Sequence, residues 1–155
     1  MTVEAGEPAP IATAVAGCID KDMLARLQNS HPALFTRLIE TYLRYAPELM
    51  SQLTAAAACN NHQLLRTMAH SLKSSSANVG ATRLAEGCRE LEHALNANPQ
   101  ADAPVLQPMV SGVEHDMAAA LKELQAMTAA AHQRATVDAG EARSLDNRVR
   151  RLAAE

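Results

Sequence analysis

Apolar residues recur along most of this chain at intervals of three and four, the spacing of helices with one dry face. The longest stripe is Phe35, Leu38, Ile39, Tyr42, Leu43, Ala46, Leu49, Met50 and Leu53. Ser30 is placed to cap that helix and Pro32 to occupy its first turn. Pro47, deep in the stripe, predicts a kink, because it lacks a backbone donor and crowds the preceding turn. A short helix is predicted ahead of it from Asp20, with Met23, Leu24 and Leu27 on its covered side. After the break "CNNH", a third helix is expected from about His62 to Asn78, stopped by Gly80 in a left-handed cap. The fourth carries Leu84, Cys88, Leu91 and Leu95, and ends in the proline-bearing loop "NANPQADAP". A fifth, from about Gln107, carries Val110, Val113, Met117, Leu121 and Leu124. Amphipathic helices with short connections predict an all-α fold, an antiparallel four-helix bundle with the short N-terminal helix as a lid.

Residues 1–17 hold prolines, glycines and no helical stripe, and read as a flexible lead-in. The bundle then spans 18–127. Residues 128–155 form a tail rich in alanine and mixed charge, where only Leu145, Val149 and Leu152 repeat at helical spacing. A loose helix, a linker and disorder all fit it. Aromatic residues make up only 2% of the chain, which favours helices over sheets. A net charge of -3 and the lack of aromatic platforms argue against nucleic acid as a partner. Cys18, Cys59 and Cys88 lie far apart, with no CxxC pair, so they read as small hydrophobes in a reducing cytoplasm. No leader pattern and no membrane-length apolar run is legible, and no membrane contact is expected.

The stretch "MAHSLKSSSANVGA" carries the candidate chemistry. On a helical wheel with Leu64 at zero, Leu65, Met68, Leu72 and Val79 fall between zero and about 100°, with Ser75 and Ser76 at the edges. His70 falls near 240°, roughly opposite, flanked by Arg66, Lys73, Ser74 and Ala77. The wheel therefore predicts an exposed imidazole between two cations, with small side chains that let a partner come close. Nearby cations disfavour the imidazolium and attract anions such as a phosphoryl group. By pattern alone, a solvated histidine with no role is the commoner outcome.

The residues from Ala69 to Leu84, "AHSLKSSSANVGATRL", resemble the signature of histidine phosphotransfer (HPt) domains, on His70, Leu72, Lys73, Ser75, Ser76, Val79, Gly80 and Leu84. "CIDKDMLARL", "FTRLIETYLRYAPELMSQL" and "CRELEHAL" resemble the flanking helices, so the likeness covers roughly 18–126. One position departs, Ser74 standing where the family usually has glycine. The resemblance implies a phosphorelay intermediate of two-component signalling, with His70 as phospho-acceptor between receiver aspartates. Lys73, with help from Arg66, would steady the phosphoryl oxygens, and Gln63, Ser74 and Ala77 would meet the receiver. The implied partners are response-regulator receiver domains and a hybrid sensor histidine kinase. Magnesium and most catalytic groups are expected on the receiver, leaving this chain a carrier with no bound cofactor.

Other classes fit less well. No glycine-rich nucleotide loop accompanies the histidine, so an autonomous kinase is not expected. Glu90 and His93 have the Glu-x-x-His spacing of di-iron bundles, but they are a lone pair and the wheel turns them to water, so no metal site is expected. His31, His62, His115 and His132 have no companions at ligand spacing and read as surface or cap residues. An HPt-shaped docking bundle that binds a partner without phosphate is the alternative function.

Overall fold

The computed structural model describes residues 17–154. All the regular elements among them are helices: α1 (Lys21–Ser30), α2 (Pro32–Ala58), α3 (His62–Asn78), α4 (Thr82–Ala97) and α5 (Ala103–Leu152). The lead-in expected at 1–17 lies, except for Gly17, outside the described residues.

Helix boundaries follow local chemistry. Asp20 caps α1, its Oδ1 accepting from the Met23 amide at 3.0 Å. Ser30 is not the cap of α2 but the last residue of α1; His31 forms the junction and Pro32 opens α2. Pro at this first position costs little, since its missing N–H has no helical acceptor there. Pro47 lies inside α2, which continues through it as one helix from Pro32 to Ala58. Between α2 and α3, Asn60 adopts φ 53°, a left-handed conformation that asparagine tolerates, and Asn61 Oδ1 then caps the Leu64 amide at 3.1 Å. The fifth helix starts at Ala103, four residues ahead of the expected Gln107, because Pro104 suits a first turn.

Helices α2, α3, α4 and α5 pack in a ring, each against the next and α5 back on α2, while α1 lies on α2. Short turns make successive helices antiparallel. The dry centre holds Phe35, Ile39, Leu53, Leu65, Leu72, Leu84, Leu91, Leu95, Val110 and Leu124. Each large aliphatic side chain buried in this way contributes about 1.5–3 kcal/mol. Cys88 belongs to this core, and burial pushes its thiol up to about 12. Cys59, by contrast, is exposed at the end of α2, so the reading of every cysteine as a packed hydrophobe fails there. Tyr42 of α2 and Ser76 of α3 share a buried hydrogen bond of 2.9 Å.

Gly80 joins α3 to α4 with φ 71°. Its carbonyl accepts from the Asp20 amide at 2.7 Å, so the α3–α4 turn and the start of α1 are one piece. A Cβ at Gly80 would lie 3.1 Å from Met23 Cε and 3.3 Å from the Asp20 carbonyl. The tail is not separate: α5 runs on to Leu152, its residues beyond Ala131 exposed throughout. No helix among the described residues is long and apolar enough to cross a membrane.

Candidate functional site

Helix α3 is held from both sides, by α2 and by α4, and only one edge of it meets solvent. Its buried residues are Leu65, Ala69, Leu72 and Ser76. The dry face is therefore centred about 60° further round than the apolar side chains predict. Leu64, expected in the core, is exposed, and Ser76, expected at the edge, is fully buried. The reason is the burial of small side chains. Small Ala69 and Ser76 sit where neighbouring helices approach, and a count of large apolar residues gives such positions no weight.

His70 keeps its predicted place, with its side chain 61% exposed. Lys73 does not. It is only 29% exposed, because the rotation of the dry face carries it to the α3–α4 boundary. There it meets Glu92 of α4, a residue the sequence reading passed over. Glu92 Oε2 accepts from Lys73 Nζ at 2.6 Å, and Glu92 Oε1 lies 2.9 Å from His70 Nδ1. One carboxylate thus bridges the imidazole and the lysine.

The electrostatics follow from that bridge. The hydrogen bond from Lys73 holds the Glu92 carboxyl below its ordinary range, against the opposing effect of its burial, and the His70 bond acts in the same direction as Lys73. An ionised carboxylate can only accept, so Nδ1–H of His70 is the donor, and a neutral ring bound in this way is the Nδ1–H tautomer. Its Nε2 then carries the free lone pair. The surface is less positive than two flanking cations imply, since Glu92 counters Lys73. Arg66 has a neutral partner instead, its guanidinium donating to Asn96 Oδ1 at 3.3 Å. Arg66, Thr67, His70, Ser71, Glu92 and Asn96 together line a shallow cleft.

The remaining candidates lie around this centre. Ser74 and Ala77 are exposed on the turns after His70, as expected. The Ser74 hydroxyl donates to the His70 carbonyl at 3.1 Å, which ties it to the helix backbone rather than to the ring. Gln63 is exposed too, but two turns before His70, in a polar hollow with Asn60, Asn61, His62, Arg66 and Gln100. On the other flank of α3, Leu38, Tyr45 and Leu49 of α2 line an apolar cleft with Ser75 and Asn78. Tyr45 is an exposed aromatic that the sequence reading counted with neither core nor site. A signal for Glu92 exists in retrospect: it follows Leu91 directly, at the margin of the buried stripe of α4.

Glu90 and His93 both face solvent, and no group of three metal-ligating side chains converges among the described residues. His31 and His115 are exposed, and His132 Nε2 lies 4.0 Å from Glu40 Oε1 of α2. His62 departs from the surface reading, as its Nε2 is buried without a hydrogen-bond partner among the described residues.

Known proteins share this fold. The Hpt domain family model matches residues 37–154, which takes in most of α2 and all of α3, α4 and α5. Among solved structures, histidine-containing phosphotransfer protein B (HptB) from Pseudomonas aeruginosa PAO1 is similar, with a TM-score of 0.64 and 29% identity. The match covers 73% of this chain and 96% of that one. The HPT domain of an Hpt sensor hybrid histidine kinase from Shewanella shares the fold, with a TM-score of 0.53 and 21% identity, over 77% of this chain and 94% of that one. A comparison with curated proteins found no match.

Proposed function

Because the chain belongs to the Hpt domain family, whose role is histidine phosphotransfer in two-component phosphorelays, we propose that His70 is its phospho-accepting residue. The observation that carries this assignment is the exposed imidazole whose Nδ1 is tied to Glu92, leaving Nε2 to meet a partner.

The partner is a receiver domain carrying phosphoaspartate, which supplies the magnesium ion and the phosphoryl group. Nε2 of His70 attacks phosphorus, the N–P bond forms as the bond to the aspartate oxygen breaks, and the carboxylate leaves. The Nδ1 proton stays on the ring. The positive charge that develops on the imidazole is therefore stabilised by Glu92, already in place before the reaction. Transfer to a second receiver runs the same steps backwards, with protonated Nδ1 making the ring a good leaving group. This chain supplies alignment and charge, the two effects on which phosphoryl transfer chiefly depends.

The two cations divide the work. Arg66, bonded among the described residues only to a neutral amide, carries a charge free to meet the phosphoryl group at the edge of the cleft. Lys73 neutralises Glu92 first and reaches the phosphoryl oxygens as a second contact. Ser74 and Ala77 provide the low surface over which the receiver closes, with Gln63 at its margin. The hybrid kinase that feeds the relay is upstream of that receiver.

The test is transfer from a phosphorylated receiver to wild type and His70→Gln, read as acid-labile phosphate on this chain. Wild type is labelled and His70→Gln is not, with equal helical circular dichroism. Undiminished label on the variant overturns the assignment, and absence of label on wild type across a receiver panel points to the docking bundle.

A further inference from the structure

Beyond Ala131 the fifth helix leaves the bundle, and its residues follow a pattern that the bundle does not use. Ala135, Asp138, Ala142, Leu145, Val149 and Leu152 are spaced three, four, three, four and three apart, the alternation of a two-helix seam. The same alternation runs through Met117, Leu121, Leu124, Thr128 and Ala131, which do pack on the core or line its edge, so one seam continues from the bundle into solvent. Its large members are uncovered, with Leu145 60%, Val149 62% and Leu152 76% exposed.

We infer that this free segment pairs with the same segment of a second copy of the chain, antiparallel, about a two-fold axis near Ser144. Size and charge select that arrangement together. The seam is small at its start, where Ala135 and Ala142 lie, and large at its end, where Leu145, Val149 and Leu152 lie. Antiparallel pairing sets Leu152 against the partner copy's small position 135, and Leu145 against position 142, so these leucines fill the space over alanines. In that same register Asp138 shares a layer with Val149 of the other copy, while Glu141 and Arg148 flank the seam. Glu141 meets Arg148 of the other copy, a contact that occurs twice by symmetry.

A parallel pairing fails on charge, because it sets Glu141 beside Asp146 of the other copy. Within one chain the charges of this segment are mostly unmatched. Arg150 pairs with Asp146 at 3.2 Å, whereas Glu141 and Arg148 take part in no ion pair among the described residues. The paired region from 135 to 152 is about 27 Å long. It begins after the contact of His132 with Glu40 of the bundle. Each His70 stays open, and the assembly presents two acceptor sites.

The test uses the full chain in size-exclusion chromatography with light scattering. Wild type is expected at twice the monomer mass at about 100 µM, dissociating on dilution. Glu141→Arg alone and Arg148→Glu alone each raise the dissociation constant by about tenfold or more, since like charges then meet twice. The decisive sample is an equimolar mixture of the two variants, in which every Glu–Arg contact is restored between unlike chains, and which returns to the doubled mass. Circular dichroism verifies that each variant is folded. A wild type at monomer mass at about 100 µM overturns the inference. So does a single variant that retains wild-type association, or a mixture that stays monomeric.

Discussion

Two hydrogen bonds on one carboxylate hold the His70 ring and the lysine one turn beyond it, so in the proposed role Glu92 links transfer at His70 to local stability. Glu92→Gln keeps an acceptor for Nδ1–H but removes the charge that would stabilise the ring during the proposed transfer. The expected result is a rate of His70 phosphorylation by a phosphorylated receiver lower by about tenfold, with the fold intact. Lys73→Ala is expected to slow transfer less and to lower stability by under about 1 kcal/mol, as befits a partly exposed ion pair. Because the folded state holds the Glu92 carboxyl below its ordinary range, its contribution is present above the unfolded carboxylate value and lost as pH falls through the folded one. The difference in Tm between wild type and Glu92→Gln should therefore be full at neutral pH and vanish in acid below the carboxylate range. Ser74→Gly is expected to leave transfer rates little changed, since the hydroxyl bonds the His70 carbonyl and not the ring.

Among the elements, α3 depends on what its two neighbours allow. The Tyr42 hydroxyl is buried against Ser76, and burial pushes the phenol up to about 12, so the bond between them is a neutral pair. Ser76→Ala leaves a buried phenol without its partner and is expected to cost about 1–3 kcal/mol in urea unfolding. Tyr42→Phe in the same background is expected to cost less than the sum of the single changes, because no orphaned hydroxyl remains. Gly80→Ala meets both a left-handed φ and the packed start of α1, and is expected to cost more than about 1 kcal/mol by the same measurement. Existence and order of the helices were legible in the spacing of their apolar residues, and Gly80 in its place after Asn78. The dry face of α3 is less legible, because Ala69 and Ser76 are buried although neither is a large apolar residue.

For the whole molecule, the bundle and the long end of α5 answer to different forces. Residues beyond Gln133 are exposed throughout the described chain, so ending the chain there is expected to leave its monomer Tm nearly unchanged while abolishing self-association. The helical class, the extent of α3 and the placing of His70 on an open face all follow from the order of residues alone. They depend on periodicity and on neighbours close in the chain. That Glu92, 22 residues away, bridges His70 and Lys73 emerges only when the helices are assembled. So do the partial cover over Lys73, the contact of Arg66 with Asn96, and the continuation of the tail as part of α5. Contacts between helices depend on which faces meet and at what rotation. Those are set by the joint packing of the bundle, where a dry face of α3 that includes small Ala69 and Ser76 brings Lys73 to the boundary with α4.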